Sequence, residues 1–300
     1  MIPKVNQSSD LLAKVLFCLI VFAWSTSWYA IKFQLGIVPE GMSVAYRFFG
    51  ASIILFLVVF FNKFRLKFSK KQHFIIFCQG AALFFLNHLF FYKGMHYVSS
   101  GVAAIFSSLG IIVGAIFDYW FHKTKTSWRV IFGGCVGIVG VGFIFSTEII
   151  NQGFGWPLIK GLLFCLGGVT VFTFGSVVGK SITLKKSELI SSTAYAMAYG
   201  ATISFLFTIC CGEKIIFDFR APYILSMIYL ILIPGITGYV GILYLVGKWG
   251  ASRASYTALF YPVGALIVSS IFENYHFGIF AFVGIIFILI GNGIAIKSKV

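Results

Sequence analysis

The sequence contains few charged residues, and acidic ones are the scarcest. Of its 300 residues 10% are charged, with eight Asp and Glu against 23 Lys and Arg, whereas 59% are hydrophobic. A soluble domain carries roughly 25% charged residues, so this chain has too little polar surface to cover itself in water. Its composition excludes a soluble globular domain, because most of its surface must face lipid.

The excess of positive charge does not indicate a nucleic-acid-binding protein. The net charge is +15 and the pI is about 9.6, but the basic residues lie in short loops between apolar runs. They form no basic face with stacking aromatic residues, as nucleic-acid binding would require. We expect the lipid bilayer, with its anionic headgroups, as the partner of these charges, and no nucleic acid.

The sequence also lacks the motifs of disulfide frameworks, metal sites and common enzymes. None of its six cysteines forms a CxxC pair, and all lie inside or at the end of apolar runs, which is typical of free packing residues. Residues 175–181 have three residues between their glycines rather than the four of a phosphate-binding loop. We therefore expect no catalytic residue, no metal and no cofactor, and hence no enzyme.

Ten apolar runs are long enough to cross a membrane, which takes roughly 20 residues for a hydrocarbon core about 30 Å thick. The predicted helices cover 11–31, 42–61, 73–92, 100–121, 129–147, 156–179, 189–211, 222–247, 254–273 and 278–296. The connections between them are short and leave no room for an inserted soluble domain. The sequence thus predicts an all-α membrane protein with ten transmembrane helices.

The basic residues alternate between the two ends of the predicted helices. If the N-terminus is cytoplasmic, 17 of the 23 Lys and Arg lie in cytoplasmic segments, five lie at the outer ends and Arg47 lies within the second helix. Cytoplasmic loops carry such an excess in membrane proteins. We expect both termini in the cytoplasm, since nine or eleven helices would destroy the alternation.

The two halves of the chain repeat the same spacings. One ladder consists of positions eight residues apart in both copies: Trp24, Lys32 and Glu40, then Phe172, Lys180 and Glu188. The other ladder has equal offsets in both copies: Tyr92, Ser100 and Gly110, then Tyr244, Ser252 and Pro262. Because five helices are an odd number, the second copy enters the membrane from the opposite side. We expect a first five-helix repeat over 1–150 and a second, inverted five-helix repeat over 151–300, which is typical of secondary transporters.

Several segments resemble the EamA-like family of drug/metabolite transporters. Residues 24–32, 38–40 and 45–48 resemble its first two helices, and residues 84–92, 99–104 and 133–140 resemble later parts of its first half. Residues 261–273 resemble its ninth helix. The resemblance covers nearly the whole chain, and it implies ten helices in inverted repeats.

The resemblance also implies export or exchange of a small metabolite such as an amino acid. The expected mechanism is alternating access through a central cavity between the halves, coupled to protons or to a counter-substrate. We expect the protein in a bacterial inner membrane, as a monomer or homodimer. Two alternatives stay open: a non-transporting scaffold or sensor with a cavity filled by Phe and Tyr, and an intramembrane enzyme, which would need His88 beside Asp118 or Glu273.

Polar and aromatic residues inside the predicted helices are the candidates for a substrate site. They lie on helices one, three, four, six, eight and nine: Trp24, Trp28, Asn87, His88, Tyr92, Ser107, Thr173, Tyr239 and Tyr261. Each has a structural alternative, namely an interfacial aromatic belt for the tryptophans, interhelical hydrogen bonds for Asn87 and His88, and buried packing for the others. The unperturbed imidazole of a histidine titrates near neutral pH, so proton coupling is a further interpretation of His88.

Two other sets of residues have interpretations that the sequence leaves open. Arg47 fits an anion-binding role, but a structural tie or a snorkelling side chain is favoured, because the second helix is usually peripheral in this family. Asp118 and Glu273 fit gate charges and ordinary helix-end charges equally. Rows of glycine at three- or four-residue spacing, as in Gly133, Gly137 and Gly140 or in Gly235, Gly238 and Gly241, predict close helix packing.

Overall fold

The computed structural model describes residues 7–123, 126–181, 186–273, 275 and 278–296. Within these ranges, the side chains of residues 7–10, 147–148, 151–152, 186–187 and 251–252 are not described. Five of the basic residues that enter the orientation argument lie outside the described residues: Lys4, Lys125, Lys185, Lys297 and Lys299. The side chains of Lys186 and Ser252 are likewise outside the described part.

The described residues form ten long helices, as the sequence predicts. They are α1 (Gln7–Lys32), α2 (Glu40–Phe61), α3 (Lys70–Gly94), α4 (Ser100–His122), α5 (Trp128–Gln152), α6 (Trp156–Gly179), α7 (Lys186–Cys210), α8 (Ala221–Trp249), α9 (Tyr256–Phe272) and α10 (Ile279–Ile296). Among the described residues, nine of these helices are long and apolar enough to cross a membrane, and α9, with 17 residues, is slightly shorter. The protein is therefore an all-α, multi-pass membrane protein.

Local signals in the sequence explain where several helices begin and end. Ser69 and Gln72 form a capping box at the start of α3, and the Ser99 hydroxyl accepts a hydrogen bond from the Val102 amide at the start of α4. Gly250, at φ 84°, ends α8 in a conformation that residues other than glycine rarely adopt. Short polar or glycine-containing turns therefore reverse the chain between helices.

Three helices are irregular near their middle. A π-helical segment interrupts α3 at Ala82–Leu86, another interrupts α8 at Ile231–Gly238, and a 3₁₀ turn interrupts α4 at Ser107–Leu109. Tyr92 and Tyr244 of the second ladder are 152 residues apart, and the same offset places the first π segment on residues 234–238 of the second. The third helix of each repeat thus widens at the same position, in agreement with two inverted five-helix repeats.

The helices pack as a central group and two peripheral pairs. Helix α1 packs against α8 and α9, α3 packs against α6 and α7, and the first part of α4 packs against α9. At the periphery, α5 pairs with α10 and α2 pairs with α7. The central group therefore contains α1, α3, α4, α6, α8 and α9, with helices from both repeats.

Candidate functional site

Trp24 lies inside the bundle, between α1, α8 and α9. Its indole Nε1 donates a hydrogen bond to the Pro234 carbonyl oxygen at 3.3 Å. Its ring contacts Tyr239 and Tyr261 edge-to-face, at centroid distances of 6.2 and 5.6 Å. Gly238 makes room for the indole, because a Cβ there would lie 2.5 Å from Nε1. This position among helices does not fit an interfacial belt.

Tyr261 connects α9 to α4. Its hydroxyl donates to Ser107 Oγ at 2.6 Å, and Ser107 Oγ donates in turn to the Ala104 carbonyl oxygen at 2.5 Å. On the other side, Ser25 Oγ of α1 lies 3.1 Å from the Tyr261 carbonyl oxygen. These contacts gather Trp24, Ser107 and Tyr261 around one point where α1, α4 and α9 meet.

A row of rings continues from Tyr239 to Tyr92. Phe84 contacts Tyr239 at a centroid distance of 5.2 Å and Phe48 at 5.0 Å. Phe48 in turn contacts His88 at 4.8 Å, and His88 and Tyr92 are 6.5 Å apart. The π segment of α3 ends two residues before His88, and that of α8 directly precedes Tyr239; such segments are frequent at functional sites. The irregular backbone thus occurs where the candidate side chains meet.

These residues lie within the middle part of the bundle, from about a third to about half of the depth of a membrane core about 30 Å thick. On the side where α1 ends, called here the Lys32 side, His88 is six residues from the end of α3, Trp24 eight from the end of α1 and Tyr261 eleven from the end of α9. At 1.5 Å per residue these depths are about 9 to 17 Å. His88, Tyr239 and Tyr261 are only partly buried at this depth.

Arg47 reaches this layer from α2. It is 4% exposed. Its guanidinium carbon lies 5.0 Å from the centroid of the Phe48 ring, and its guanidinium lies close to His88, Tyr92 and Tyr239. Its Nε and Nη1 atoms nevertheless make no hydrogen bond. Arg47 is buried in the bundle and therefore does not snorkel outward; a structural tie and an anion-binding role are the two interpretations that fit this position. The sequence signal was the arginine itself, but hydropathy does not say which way a side chain points.

Two further buried polar groups near this layer have no hydrogen-bond partner. They are Asn87 Oδ1 and the Ser108 hydroxyl, whereas the Tyr92 hydroxyl lies against the Arg47 guanidinium. Asn87 lies between Phe84 and Phe91 on one face of α3, since residues three and four apart share a face. Ser108, on the 3₁₀ turn of α4, is a residue that the sequence analysis did not select.

Trp28 and Thr173 lie apart from the ring contacts described above. The Trp28 ring packs edge-to-face on Phe91, at 4.8 Å between centroids, and remains half-buried. The Thr173 hydroxyl donates to the Val169 carbonyl of its own helix at 2.6 Å. Thr173 packs on α4, where a Cβ at Gly110 would lie 3.3 Å from its Oγ1. The contacts of Thr173 therefore fit helix packing.

Asp118 and Glu273 lie away from His88. Asp118 pairs with Lys180 at 2.7 Å between α4 and α6, and Glu273 accepts a hydrogen bond from the Ser100 amide at 2.8 Å. The neighbours of His88 are Phe48, Tyr92 and Arg47. The arrangement that an intramembrane enzyme would need, His88 beside one of these acids, is not formed among the described residues.

The two halves are joined beyond the site on the Lys32 side. Gln34 Nε2 donates to the Tyr223 carbonyl oxygen at 3.0 Å, and Ser43 and Tyr223 share a hydrogen bond of 3.0 Å. A Cβ at Gly101 of α4 would lie 2.8 Å from Leu266 Cα of α9. From Gly110 onward, α4 packs instead against α5 and α6. Helices α4 and α9 therefore touch on the Lys32 side and separate toward the other.

Comparison with known proteins agrees with this architecture. The profile of the EamA-like transporter family matches residues 11–146 and 159–296, one match in each half. The chain is 25% identical over 257 residues to an uncharacterized transporter of Archaeoglobus fulgidus, covering 86% of this chain and 88% of that protein. It is 26% identical over 271 residues to the uncharacterized transporter YvbV of Bacillus subtilis, with coverages of 86% and 83%.

Two further similarities extend over almost the whole chain. Protein PagO of Salmonella typhimurium is 23% identical over 294 residues, covering 95% of this chain and 93% of that protein. A solved crystal structure superposes with a TM-score of 0.66 at 16% identity, covering 94% of this chain and 96% of the other. The latter likeness shows the fold alone.

Proposed function

We propose that this chain, which belongs to the EamA-like transporter family, is a secondary transporter that exports or exchanges a small metabolite such as an amino acid. The solute would occupy a mid-depth cavity and be exposed to each side in turn as the halves, 1–150 and 151–300, rock against each other. The proposed contacts are Trp24, Trp28, Asn87, His88, Tyr92, Ser107, Thr173, Tyr239 and Tyr261.

One observation carries this proposal: helices of both halves contribute to a single polar and aromatic site at mid-depth. Trp24 and Ser107 come from the first half, and Tyr239 and Tyr261 come from the second. A change in the angle between the halves must therefore change the access to this site. The separation of α4 from α9 beyond Gly110 supports a state that is open opposite the Lys32 side.

Counterflow in proteoliposomes tests the proposal. Vesicles loaded with an unlabelled solute should take up the same labelled solute against its gradient, over a panel of amino acids, carboxylates, amines and neutral metabolites. Trp24→Ala should abolish this uptake, because the indole joins α1 to α8 and α9. Trp156→Ala is the matched control, since Trp156 is 69% exposed, and it should leave uptake unchanged.

The scaffold or sensor alternative predicts a different result. It requires that a folded protein, with a single sharp elution peak and a cooperative melting transition, moves no solute of the panel. The row of rings from Tyr261 to His88 is the feature that favours this alternative. Absence of counterflow with all solutes would therefore count against transport.

We further propose a bacterial inner-membrane location with both termini in the cytoplasm, which makes the Lys32 side the outer one. Cysteines introduced at the exposed residues Lys67 and Lys214 lie on opposite sides in this arrangement. In a background without the six native cysteines, a membrane-impermeant maleimide should label Lys214→Cys in intact cells and spare Lys67→Cys. The reverse labelling would overturn the orientation.

A further inference from the structure

We propose that the transported solute is a monocarboxylate with an apolar or aromatic body, and that Arg47 binds its carboxylate. The inference rests on the proposed transport function and names the substrate class of that same site. It starts from Arg47, which is the only buried Lys or Arg among the side chains that the structure describes.

The position of Arg47 requires a negative partner. A guanidinium withdrawn from water is costly unless hydrogen bonds and an opposite charge replace the water. Its Nε and Nη1 atoms have no hydrogen-bond partner, and each can donate a charge-assisted hydrogen bond to an anion. The side chain is thus placed to receive an anion.

The protein does not supply that anion from the acidic side chains that the structure describes. Each of them lies at a helix end or in a loop, and most have other partners: Glu40 with His96, Asp118 with Lys180, Glu188 with Arg65, Asp218 with Arg220, Glu273 with Ser100, and Glu213 in the loop after α7. The described groups near Arg47 are instead the Phe48 ring, whose centroid lies 5.0 Å from the guanidinium carbon, and the side chains of Tyr92, His88 and Tyr239. An external anion is the remaining partner.

The surroundings of Arg47 narrow the chemistry of this anion. One buried cation matches one negative charge, so dianions such as phosphate monoesters are disfavoured. The Tyr92 hydroxyl lies against the Arg47 guanidinium, and its proton can be donated to a carboxylate oxygen. The rings of Trp24, Phe84 and Tyr239 offer an apolar surface for the body of the solute. No described carboxylate lies in this layer, so an ammonium group is not required.

A matched series of probes separates these requirements. The four compounds are 3-phenylpropanoate (carboxylate only), L-phenylalanine (carboxylate and ammonium), 2-phenylethylamine (ammonium only) and 3-phenylpropanamide (neither). Butanoate with butanamide, and indole-3-acetate with indole-3-acetamide, extend the series to smaller and larger bodies. Because a ligand of the folded state raises its melting temperature, we expect the carboxylates to stabilise the purified protein and the amides and the amine to have little effect.

Substitution of Arg47 tests the assigned residue. Arg47→Gln should weaken carboxylate binding roughly 10-fold to 100-fold, the usual worth of a charge-assisted hydrogen-bonded contact, and Arg47→Lys should retain part of it. The ligand-free melting temperature of Arg47→Gln should be unchanged or higher, because an uncompensated buried charge is removed. Arg65→Gln makes the same chemical change at an exposed ion pair and should leave binding unchanged.

Several results would overturn the inference. These are equal stabilisation by amides or by the amine, equal stabilisation by chloride alone, no stabilisation by any carboxylate of the series, or a strongly lowered ligand-free melting temperature of Arg47→Gln, which would indicate a structural tie. Failure of the transport proposal has a different signature, namely Arg47-dependent binding without counterflow. Conversely, counterflow of uncharged solutes that is insensitive to Arg47→Gln would leave transport intact and reject the carboxylate.

Discussion

Glycines serve opposite purposes in the α5–α10 pair and in the mid-depth site. In the pair, Gly133 lies against the carbonyl oxygen of Gly291, and a Cβ on Gly140 would lie 2.6 Å from the carbonyl oxygen of Gly284. Backbone therefore packs directly on backbone, which maximises dispersion contacts where lipid offers no hydrophobic driving force. Each of these glycines is explained by the atoms that it touches.

The mid-depth site has wider helices and unpartnered polar atoms instead. Each unpartnered buried polar group costs about 1–3 kcal/mol, and Asn87, Ser108 and Arg47 carry such groups. A glycine here, Gly238, admits a side chain from another helix rather than a backbone. The difference indicates that the peripheral pair stabilises the protein, whereas the central layer gives up stability for an open, adaptable site.

The largest expected effect breaks the peripheral pair. Gly140→Val would place side-chain carbons against Gly284 and against Ile288, whose backbone nitrogen would lie 2.9 Å from the new Cβ. Because backbone cannot move aside as a side chain can, we expect a loss of about 3 kcal/mol or more, seen as little folded protein by size-exclusion chromatography.

The same substitution two residues further along α5 is the control. Gly142 has no atom within 4 Å of its Cβ position, so Gly142→Val adds the same β-branched side chain to the same helix without a collision. It should yield nearly normal amounts of folded protein. Equal losses in both variants would mean that valine in this helix, and not the contact with α10, is responsible.

We expect a substitution of Gly238 to change the stability less than Gly140→Val does, but to change transport more. A Cβ there would lie 2.5 Å from Trp24 Nε1, so Gly238→Ala should displace the indole from Pro234 and from the site. We expect counterflow to fall about tenfold or more, while the unfolding free energy changes by about 1 kcal/mol, since alanine favours helix over glycine by a similar amount. Gly293→Ala, in open space on α10, should leave counterflow unchanged.

The glycines of α5 show how much of the fold could be predicted from the sequence. The spacing of Gly133, Gly137 and Gly140 predicted close packing, and the contacts confirm it at Gly133 and Gly140, but spacing cannot name α10 as the partner. Helix number followed from hydropathy, because the bilayer sets the length of each run. Even there, Gln7 rather than residue 11 begins α1, since a helix can extend beyond its apolar part.

The site was less predictable, because it depends on how helices are rotated. Trp24, Tyr239 and Tyr261 were selected for their chemistry, but their mutual contacts arise only from packing between the halves. Arg47 was judged structural from the usual place of its helix, whereas its direction depends on the contacts of α2 with α3 and α8. Thr173 was selected by the same chemistry, yet its hydroxyl bonds to its own helix, a common outcome that sequence cannot separate from ligand binding.

The hydrogen bond between Tyr261 and Ser107 is one of the satisfied polar contacts of the site. Tyr261→Phe removes the hydroxyl that donates to Ser107 Oγ, while Ser107 keeps its own bond to the Ala104 carbonyl oxygen. We expect a loss of about 1 kcal/mol in unfolding free energy. A double-mutant cycle with Ser107→Ala isolates the pair, and a coupling energy near zero would show that the bond does not hold α4 to α9.

We expect the smallest effect from the Asp218–Arg220 pair, which lies outside both regions, in the loop between α7 and α8. Asp218 accepts hydrogen bonds from the Arg220 side chain, which lower the pKa of this carboxyl below its ordinary value of 3.8. A carboxyl whose pKa is lower in the folded state stabilises it above the ordinary pKa, and this stabilisation disappears as the pH falls through the folded pKa. Asp218→Asn should therefore lower the melting temperature slightly at neutral pH, and the difference from the unmodified protein should close below pH 3.8.

Because Arg220 is exposed, salt should shrink the difference, whereas the effect of Gly140→Val, which rests on steric contact, should not respond to salt. Glu213→Gln removes a carboxylate from the same loop and should not reproduce the pH dependence; if it does, the net charge of the loop rather than the Asp218–Arg220 pair is responsible.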